Sequence, residues 1–394
     1  MIANYTNYIN KEESIEEIEE FMNSIDVPVE EVGLTIPVGE CSYCDEGKYY
    51  QLNDINIHDA VDLWFDNPGS AESLYGYIKC WNVEKITNMS NLLVDRQSFN
   101  EDLSCWNTSS VTNMGYMFQG SSSFDQNLTL WDVSKVSTMR CMFDGNFHND
   151  NLRTMKFNGS IDNWKVSSVT DMGCMFRGAS FFNHNLDSWD VSRVISMDYM
   201  FLATRSFDRN LNSWDVSSVT DMNHMFYASS FNKNLDEWNV SKVNNMGAMF
   251  AETSFNQSLN LWDVSRVIQM YSIFLGASSF NQNLDLWDTS NVKDMWQMFR
   301  GASSFNGEIS NWNVSGVTNM EWMFTGSSSF NQDLTSWDVA GVTDMKQMFQ
   351  DASSFDQRLC WDVSTKLTTN MFQSSPGCID NISCCISCDS DLLC

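Results

Sequence analysis

The pattern of apolar and polar residues in this chain repeats about every 25 residues from residue 81 onward. Each unit opens on a tryptophan, continues as W-[DN]-V-S-x-V-T-x-M-x-x-M-F, and returns through G-A-S-S-F-[ND]-Q-x-L to the next tryptophan. Successive tryptophans are 24 or 25 residues apart, except for one interval of 33. The opening tryptophans are Trp81, Trp106, Trp131, Trp164, Trp189, Trp214, Trp238, Trp262, Trp287, Trp312, Trp337 and Trp361.

Two periodicities inside the unit predict two kinds of local structure. Tryptophan and valine alternate with polar residues in x-W-D-V-S, which predicts a short strand. The methionines and phenylalanine of V-x-x-M-x-x-M-F follow a spacing of three and four, which predicts one or two helical turns. The G-A-S-S segment predicts the bend that leads the chain back to the next strand.

A strand, a short helical turn and a return within about 25 residues are typical of a leucine-rich-repeat coil. We therefore expect an α/β repeat solenoid, a right-handed leucine-rich-repeat-like coil of about twelve units with one short parallel strand each. Stacking explains the repetition, because a single unit cannot bury its own tryptophan, methionine and phenylalanine side chains. Proline interrupts such backbone pairing, and all four prolines lie outside the repeats: Pro28, Pro37, Pro68 and Pro376.

The ends of the chain do not follow the repeat. Residues 1–75 are expected to form an N-terminal helical cap region, with helices over Glu12–Met22 and Ile57–Trp64. A terminal unit needs such a cover, because otherwise its apolar edge faces water. We expect the solenoid to occupy residues 76–374 and a cysteine-rich tail to occupy residues 375–394.

The charge of the chain narrows the range of partners. Its formal net charge is −29, from 51 acidic and 22 basic residues. Nucleic acids and anionic membrane surfaces are bound through Lys and Arg, so neither is an expected partner. The sequence has no run of 18 apolar residues, so no transmembrane segment is expected. It also has no nucleophile elbow, phosphate loop or metal-binding helix, so we expect no enzyme activity and no cofactor.

Four cysteines occupy matching places in neighbouring units. Cys80 and Cys105 each precede a tryptophan, and Cys141 and Cys174 each lie ten residues after one. Stacked positions lie about 4.8 Å apart, within the usual Cα separation of a disulfide. The register therefore predicts the bridges 80–105 and 141–174, the alternative being four buried thiols.

The other cysteines are less specific, but they indicate a compartment. Cys41 and Cys44 form a C-x-x-C motif that is compatible with a redox pair, half a zinc site or a disulfide. The tail cysteines have no histidine near them and remain compatible with a zinc site, but disulfides are the favoured interpretation. No signal peptide is visible, which leaves either a cytoplasmic chain or an incomplete N-terminus. The even count of twelve cysteines favours an oxidising compartment, and we expect an extracellular or cell-surface location.

An aspartate follows the tryptophan in many units and points away from the core. Asp190, Asp215, Asp263 and Asp288 are therefore candidate binding residues. One interpretation is an acidic ridge that binds cations or basic ligands. The other is local capping, in which each carboxylate accepts hydrogen bonds from its own turn.

Features that depart from the repeat are the remaining candidates for function. Tyr199, Tyr271, Trp296 and Trp322 are expected on the outer face of the predicted helical turns. Aromatic side chains there suit protein or carbohydrate contact, although single surface aromatics are also ordinary. The interval of 33 residues contains an insertion at 144–156, either a plain excursion or a binding loop.

The units W-D-V-S-S-V-T-D-M (Trp214–Met222) and G-A-S-S-F-N-Q (Gly276–Gln282) resemble the BspA-like leucine-rich-repeat surface proteins. The resemblance extends over residues 57–374. It implies a non-catalytic surface or secreted protein and, for some bacterial members, adhesion to host matrix proteins. The family pattern has no catalytic residues to carry over.

Two functions remain open on the sequence alone. The first is a non-catalytic, monomeric surface or secreted repeat protein that binds a protein or glycan ligand. The second is a structural or matrix solenoid without a specific ligand. A glycan-acting enzyme is a third hypothesis, but no pair of carboxylates in the repeat is distinguished from the others.

Overall fold

The computed structural model describes Cys41, Cys44 and residues 49–145, 147–148, 151–152 and 154–379. The helix predicted over Glu12–Met22 lies outside these residues. No helix in the described part has the length and apolar character needed to span a membrane. The elements are α1 (Ile57–Asp66), α2 (Pro68–Tyr75), a 3₁₀ helix (Ile78–Cys80), β1 (Phe147–His148), β2 (Asn151–Leu152), β3 (Arg358–Leu359) and β4 (Cys378–Ile379).

The helix predicted over Ile57–Trp64 is present as α1, and it packs on the first repeat unit. Trp64 lies edge-on to Trp81, with ring centroids 6.1 Å apart. Phe65 packs in the same manner on Phe99, at 5.7 Å. These contacts bury apolar surface of the first unit, which has no preceding unit to cover it.

Successive units are joined by parallel backbone pairing. We number the positions of a unit from its tryptophan as position 1. Residues at position 8, from Asn88 to Asp344, form isolated parallel bridges with the equivalent residue of the next unit. In the unit of Trp287, the N–H groups of positions 9, 11, 13 and 15 donate to four carbonyls of the next unit at 2.8–3.0 Å. Each unit therefore depends on its neighbour to satisfy its backbone donors.

The local elements predicted for the unit are wrong. The x-W-D-V-S segment is not a strand, and the parallel pairing lies instead at position 8, where the spacing predicts a helical turn. The segment from position 10 to position 15 consists of consecutive turns and not of α-helix. The reason is a left-handed residue at position 11 of each unit from Trp81 to Trp337, such as Ala248 with φ +53° and Trp322 with φ +59°. An α-helix needs φ near −63° at every residue.

The core consists of columns of stacked aromatic side chains. The tryptophans of position 1 are buried, and ring centroids of neighbours such as Trp287 and Trp312 lie 6.1 Å apart. The Trp287 indole N–H donates to the Leu259 carbonyl at 2.9 Å, so its polar atom is satisfied. A second column contains paired phenylalanines such as Phe299 and Phe305, with centroids 4.0 Å apart. Each buried aromatic contributes about 4–6 kcal/mol of gross transfer free energy.

The insertion at 144–156 contains an antiparallel hairpin in which β1 pairs with β2, Phe147 lying opposite Leu152. Asp144 at its base is fully buried. Its carboxylate accepts hydrogen bonds of 2.8 Å from Arg177 Nε and from Gln119 Nε2 of the neighbouring units. The excursion is therefore anchored by an ion pair between adjacent units.

Candidate functional site

The four aromatic residues predicted to bind a ligand share two positions for which the repeat has no preferred residue. Tyr271 and Trp296 occupy position 10, and Tyr199 and Trp322 occupy position 11. All four are half-buried, whereas the methionines at positions 9 and 12 around them are buried. We name positions 10 and 11 of the units from Trp189 to Trp337 the variable face.

Tyr199 and Tyr271 belong to one cluster around His224. The Tyr199 ring stacks on His224, with centroids 4.8 Å apart and planes 10° apart. The Tyr271 hydroxyl accepts a hydrogen bond from Asn223 Nδ2 at 2.7 Å. Nδ1 of His224 lies 2.7 Å from Asn223 Oδ1, which can only accept, so Nδ1 is the donor. We name Tyr199, Asn223, His224 and Tyr271 the tyrosine–histidine cluster.

A glycine makes this cluster possible. Asn223 and Tyr271 belong to units that are separated by one further unit, whose residue at position 10 is Gly247. A Cβ atom on Gly247 would lie 2.4 Å from Cζ of Tyr271 and 2.7 Å from Nδ2 of Asn223. Both distances are shorter than van der Waals contact, so the hydrogen bond passes over Gly247 because that residue has no side chain.

A second side-chain link spans a unit in the same way. Arg140 Nη2 lies 2.7 Å from Asp198 Oδ2, and the two residues are separated by the unit that carries Gly173 at position 10. A Cβ atom on Gly173 would lie 2.1 Å from Arg140 Nη1. Burial raises the pKa of Asp198, but hydrogen bonds from Arg140 and Ser196 outweigh it and hold the pKa below its ordinary value. Asp198 is therefore ionised, and its negative charge is balanced by the guanidinium of Arg140 beside the tyrosine–histidine cluster.

The cluster itself is neutral near physiological pH. Burial lowers the pKa of His224 to about 4, so its imidazole is uncharged. Burial also raises the pKa of the Tyr199 phenol and of the nearby Asp221 carboxyl. This part of the variable face therefore presents uncharged aromatic rings and amide groups next to the Arg140–Asp198 ion pair.

Trp296 and Trp322 form a second aromatic pair on the same face, with ring centroids 6.1 Å apart and planes inclined by 43°. The indole N–H of Trp322 donates to Gln347 Oε1 at 2.6 Å. The guanidinium of Arg300 lies 5.4 Å from the Trp322 ring centroid, within range of a cation–π interaction. We name Trp296 and Trp322 the tryptophan pair. Gln347 and Arg300 hold the Trp322 ring in its position.

The aspartates predicted as a ridge, Asp190, Asp215, Asp263 and Asp288, are exposed at position 2. Each accepts a hydrogen bond of 3.0–3.1 Å from the backbone N–H of the serine two residues later. Hydrogen bonds from these serines lower the pKa of Asp215 and Asp263. This geometry favours the local-capping interpretation over a recognition ridge.

Of the two disulfides predicted from the register, one is present and the other is not. The predicted bridge between Cys80 and Cys105 is wrong for the pairing in this structure, because both bond to the C-x-x-C segment, which lies outside the repeat and whose position the register does not predict. The predicted bridge across the insertion is present, with a Cα separation of 4.5 Å. The disulfides with two described partners are Cys41–Cys105, Cys44–Cys80 and Cys141–Cys174.

Sequence reasoning missed the polar residues that hold the aromatic rings, namely Arg140, Asp198, Asn223 and His224. All four lie at positions 10 or 11, so the absence of a consensus residue there was the available signal. Within the described ranges, no group of three or more His, Cys, Asp or Glu side chains could hold a metal ion.

A sequence profile described as "Mycoplasma protein of unknown function, DUF285" matches four overlapping stretches, residues 65–154, 146–254, 208–299 and 282–384. The chain belongs to this family. The matched stretches contain all the tryptophan-led units. The match to the family therefore rests on the repeat, and it identifies the chain as a repeat protein. This family is related to the BspA-like repeat proteins. No curated protein matches the chain.

Proposed function

We propose that this protein is a non-catalytic, extracellular or cell-surface binding protein that contacts a protein or glycan ligand through its variable face. The observation that carries the proposal is the collection of Tyr199, Tyr271, Trp296 and Trp322 on one face, all half-buried. Aromatic side chains dominate the energetics of protein interfaces and present flat apolar surface to partners.

The support for binding comes from how the rings are held. Asn223 fixes the Tyr271 hydroxyl and Gln347 fixes the Trp322 indole, each by one short hydrogen bond. Side chains that are ordered before binding lose less conformational entropy on binding, which improves affinity. The net charge of −29 favours a neutral or basic ligand over an anionic one.

The proposal includes the architecture and the location. The parallel bridges between successive units support a right-handed solenoid of leucine-rich-repeat type, here proposed as a monomer. The disulfides support an oxidising, extracellular compartment. No residue of the variable face is assigned a catalytic role.

The proposal is tested by binding of the purified full chain to immobilised matrix proteins and to a glycan array. We expect Tyr271→Ala and Trp296→Ala to weaken the binding of a retained ligand by at least about tenfold, the loss typical of an interface hot spot. Leu286→Ala is the matched control, because Leu286 is 61% exposed but lies off the variable face. Equal affinity of wild type and both aromatic variants for every ligand would refute the proposal.

The same experiment distinguishes the alternative function. Most recurring residues in the units serve contacts between units, which is also what a purely structural or matrix array requires. If no ligand is retained by the wild-type chain, the structural function replaces the binding function. An enzyme would instead release product from a glycan array without stable retention.

A further inference from the structure

Four cysteines lie together at the start of the repeat array. Cys80 and Cys105 precede the stacked tryptophans of the first two units, whose ring centroids are 6.3 Å apart. Cys41 and Cys44 are linked by a backbone hydrogen bond of 3.2 Å from the N–H of Cys44 to the carbonyl of Cys41. Each of them is bonded to one cysteine of the array, with Cα separations of 5.6 and 5.2 Å. We name these residues the four-cysteine cluster.

We infer that the four-cysteine cluster is a site of thiol–disulfide exchange, with a second stable pairing of Cys41 with Cys44 and of Cys80 with Cys105. The second pairing is compatible with the fold, because Cys141 and Cys174 form such a bridge between the same position of adjacent units. A C-x-x-C segment also forms internal disulfides. The inference does not depend on the proposed binding function.

Burial decides where the exchange starts. Cys41 is 1% exposed, whereas Cys44, Cys80 and Cys105 are half-buried. An attacking thiolate must reach a disulfide sulfur in line with the bond. The bridge between Cys44 and Cys80 therefore offers an external thiol two partly exposed sulfurs, whereas the bridge between Cys41 and Cys105 offers one, and we infer that the exchange starts at the first of these bridges.

The exchange needs a thiol as catalyst and no oxidant. The external thiolate attacks Sγ of Cys80, forms a mixed disulfide and releases the Cys44 thiolate. The Cys44 thiolate attacks Sγ of Cys41, which forms the 41–44 bond and releases the Cys105 thiolate. The Cys105 thiolate then attacks Sγ of Cys80, which forms the 80–105 bond and releases the external thiolate unchanged. Two disulfides are present before and after.

The two pairings differ in whether Cys41 and Cys44 are bonded to the repeat array. The observed disulfides span sequence separations of 64 and 36 residues, and they tie the C-x-x-C segment to the first two units. After the exchange, no disulfide connects Cys41 or Cys44 to the array. The exchange thus lets a thiol of the surroundings, free or on an exchange enzyme, detach Cys41 and Cys44 from the first two units.

The first test uses the full chain incubated with reduced glutathione at pH 6 and pH 7, followed by acid quenching and mass spectrometry of non-reduced peptides. We expect the 41–44 and 80–105 peptides to appear together, roughly tenfold faster at pH 7, because the thiolate fraction rises about tenfold per pH unit. The Cys141–Cys174 peptide is the internal control and stays constant. Loss of the original bridges without either new peptide would overturn the inference.

The second test removes the competing partners. In the variant Cys41→Ser/Cys44→Ser, we expect Cys80 and Cys105 to bond to each other under oxidising conditions. An intact Cys141–Cys174 bridge in the same sample verifies that the array has folded. Free thiols at Cys80 and Cys105 in that folded variant would overturn the inference.

Discussion

Asn223 and Tyr271 are joined by a hydrogen bond of 2.7 Å that crosses an entire repeat unit. The unit between them contributes Gly247, whose missing side chain leaves the space that the Tyr271 ring occupies. The Arg140–Asp198 ion pair crosses Gly173 in the same manner. Glycine at position 10 thus permits side chains at the same position of units that are not neighbours to contact each other.

Replacing Gly247 by alanine should destabilise the fold by about 1–3 kcal/mol, the range for forcing an extra methyl group into packed space. The added Cβ would meet the rigid ring of Tyr271, which cannot move without breaking its hydrogen bond to Asn223. Gly173→Ala should have a comparable cost, because its Cβ would lie 2.1 Å from Arg140 Nη1 and 2.5 Å from Asp198 Oδ1 and would disrupt their ion pair. Thermal unfolding followed by circular dichroism measures both effects.

Gly115→Ala is the matched control for this series. Gly115 also occupies position 10, but the nearest atom to its added Cβ is 3.2 Å away, on the short side chain of Asn113. Equal destabilisation by the alanine variants of Gly115 and Gly247 would show that the link between Asn223 and Tyr271 does not matter for stability.

The inward-facing residues and the register of the units could be predicted from the sequence, because burial demands the same residue types at each turn of the repeat. The tryptophan column is an example: Trp287 and Trp312 are buried with ring centroids 6.1 Å apart, as the recurring tryptophan indicates. The local elements could not be predicted. Position 11 is left-handed in residues such as Ala248 and Gln297, which carry no glycine signal, and two successive turns have the same apolar spacing as a helix.

The candidate site was predictable only in part. The aromatic residues of the variable face were visible as departures from the repeat, but their partners Asn223 and Gln347 are ordinary polar residues in the sequence. Their role depends on side chains that reach across units, a distance that the register alone does not reveal. The pairing of Cys80 failed for a related reason, since its partner Cys44 lies outside the repeat.

Position 15 gives a second prediction about the left-handed turns. Gly301 has φ +73°, and its added Cβ would find no atom closer than 3.6 Å, so only backbone strain opposes a substitution. We expect Gly301→Ala to cost about 1–2 kcal/mol, the price of a left-handed conformation for a residue with a Cβ. Gly301→Asn should cost less and Gly301→Val more. An unfolding midpoint in urea that is lower for the asparagine than for the alanine variant would contradict this explanation.

The ion pair at the base of the insertion gives a third prediction. Arg177→Met should destabilise the protein by about 3–5 kcal/mol, because the fully buried carboxylate of Asp144 would lose its ion pair with Arg177. The double variant Asp144→Asn/Arg177→Met should recover part of the loss, since the buried carboxylate is removed together with the guanidinium. The control Arg193→Met alters an exposed arginine and should change stability by less than about 0.5 kcal/mol. If denaturant titrations show that the destabilisation of the double variant equals the sum for the two single variants, Asp144 and Arg177 are not coupled.

His224 predicts a specific pH dependence of stability. Its pKa is about 4 in the folded protein and about 6.5 when unfolded, so between these values the unfolded state binds more protons. The stability that His224 contributes is therefore fully present above about pH 6.5 and is lost as the pH falls toward 4. The loss is less than about 3 kcal/mol because the ring is partly exposed to solvent.

His224→Asn removes the titrating group and suits the φ of +55° at this residue. We expect this variant to lose stability less steeply than wild type between pH 6.5 and 4, as measured by urea unfolding. His58→Asn, at an exposed site on α1, is the control, and an unchanged slope in the His224 variant would assign the pH dependence to other groups.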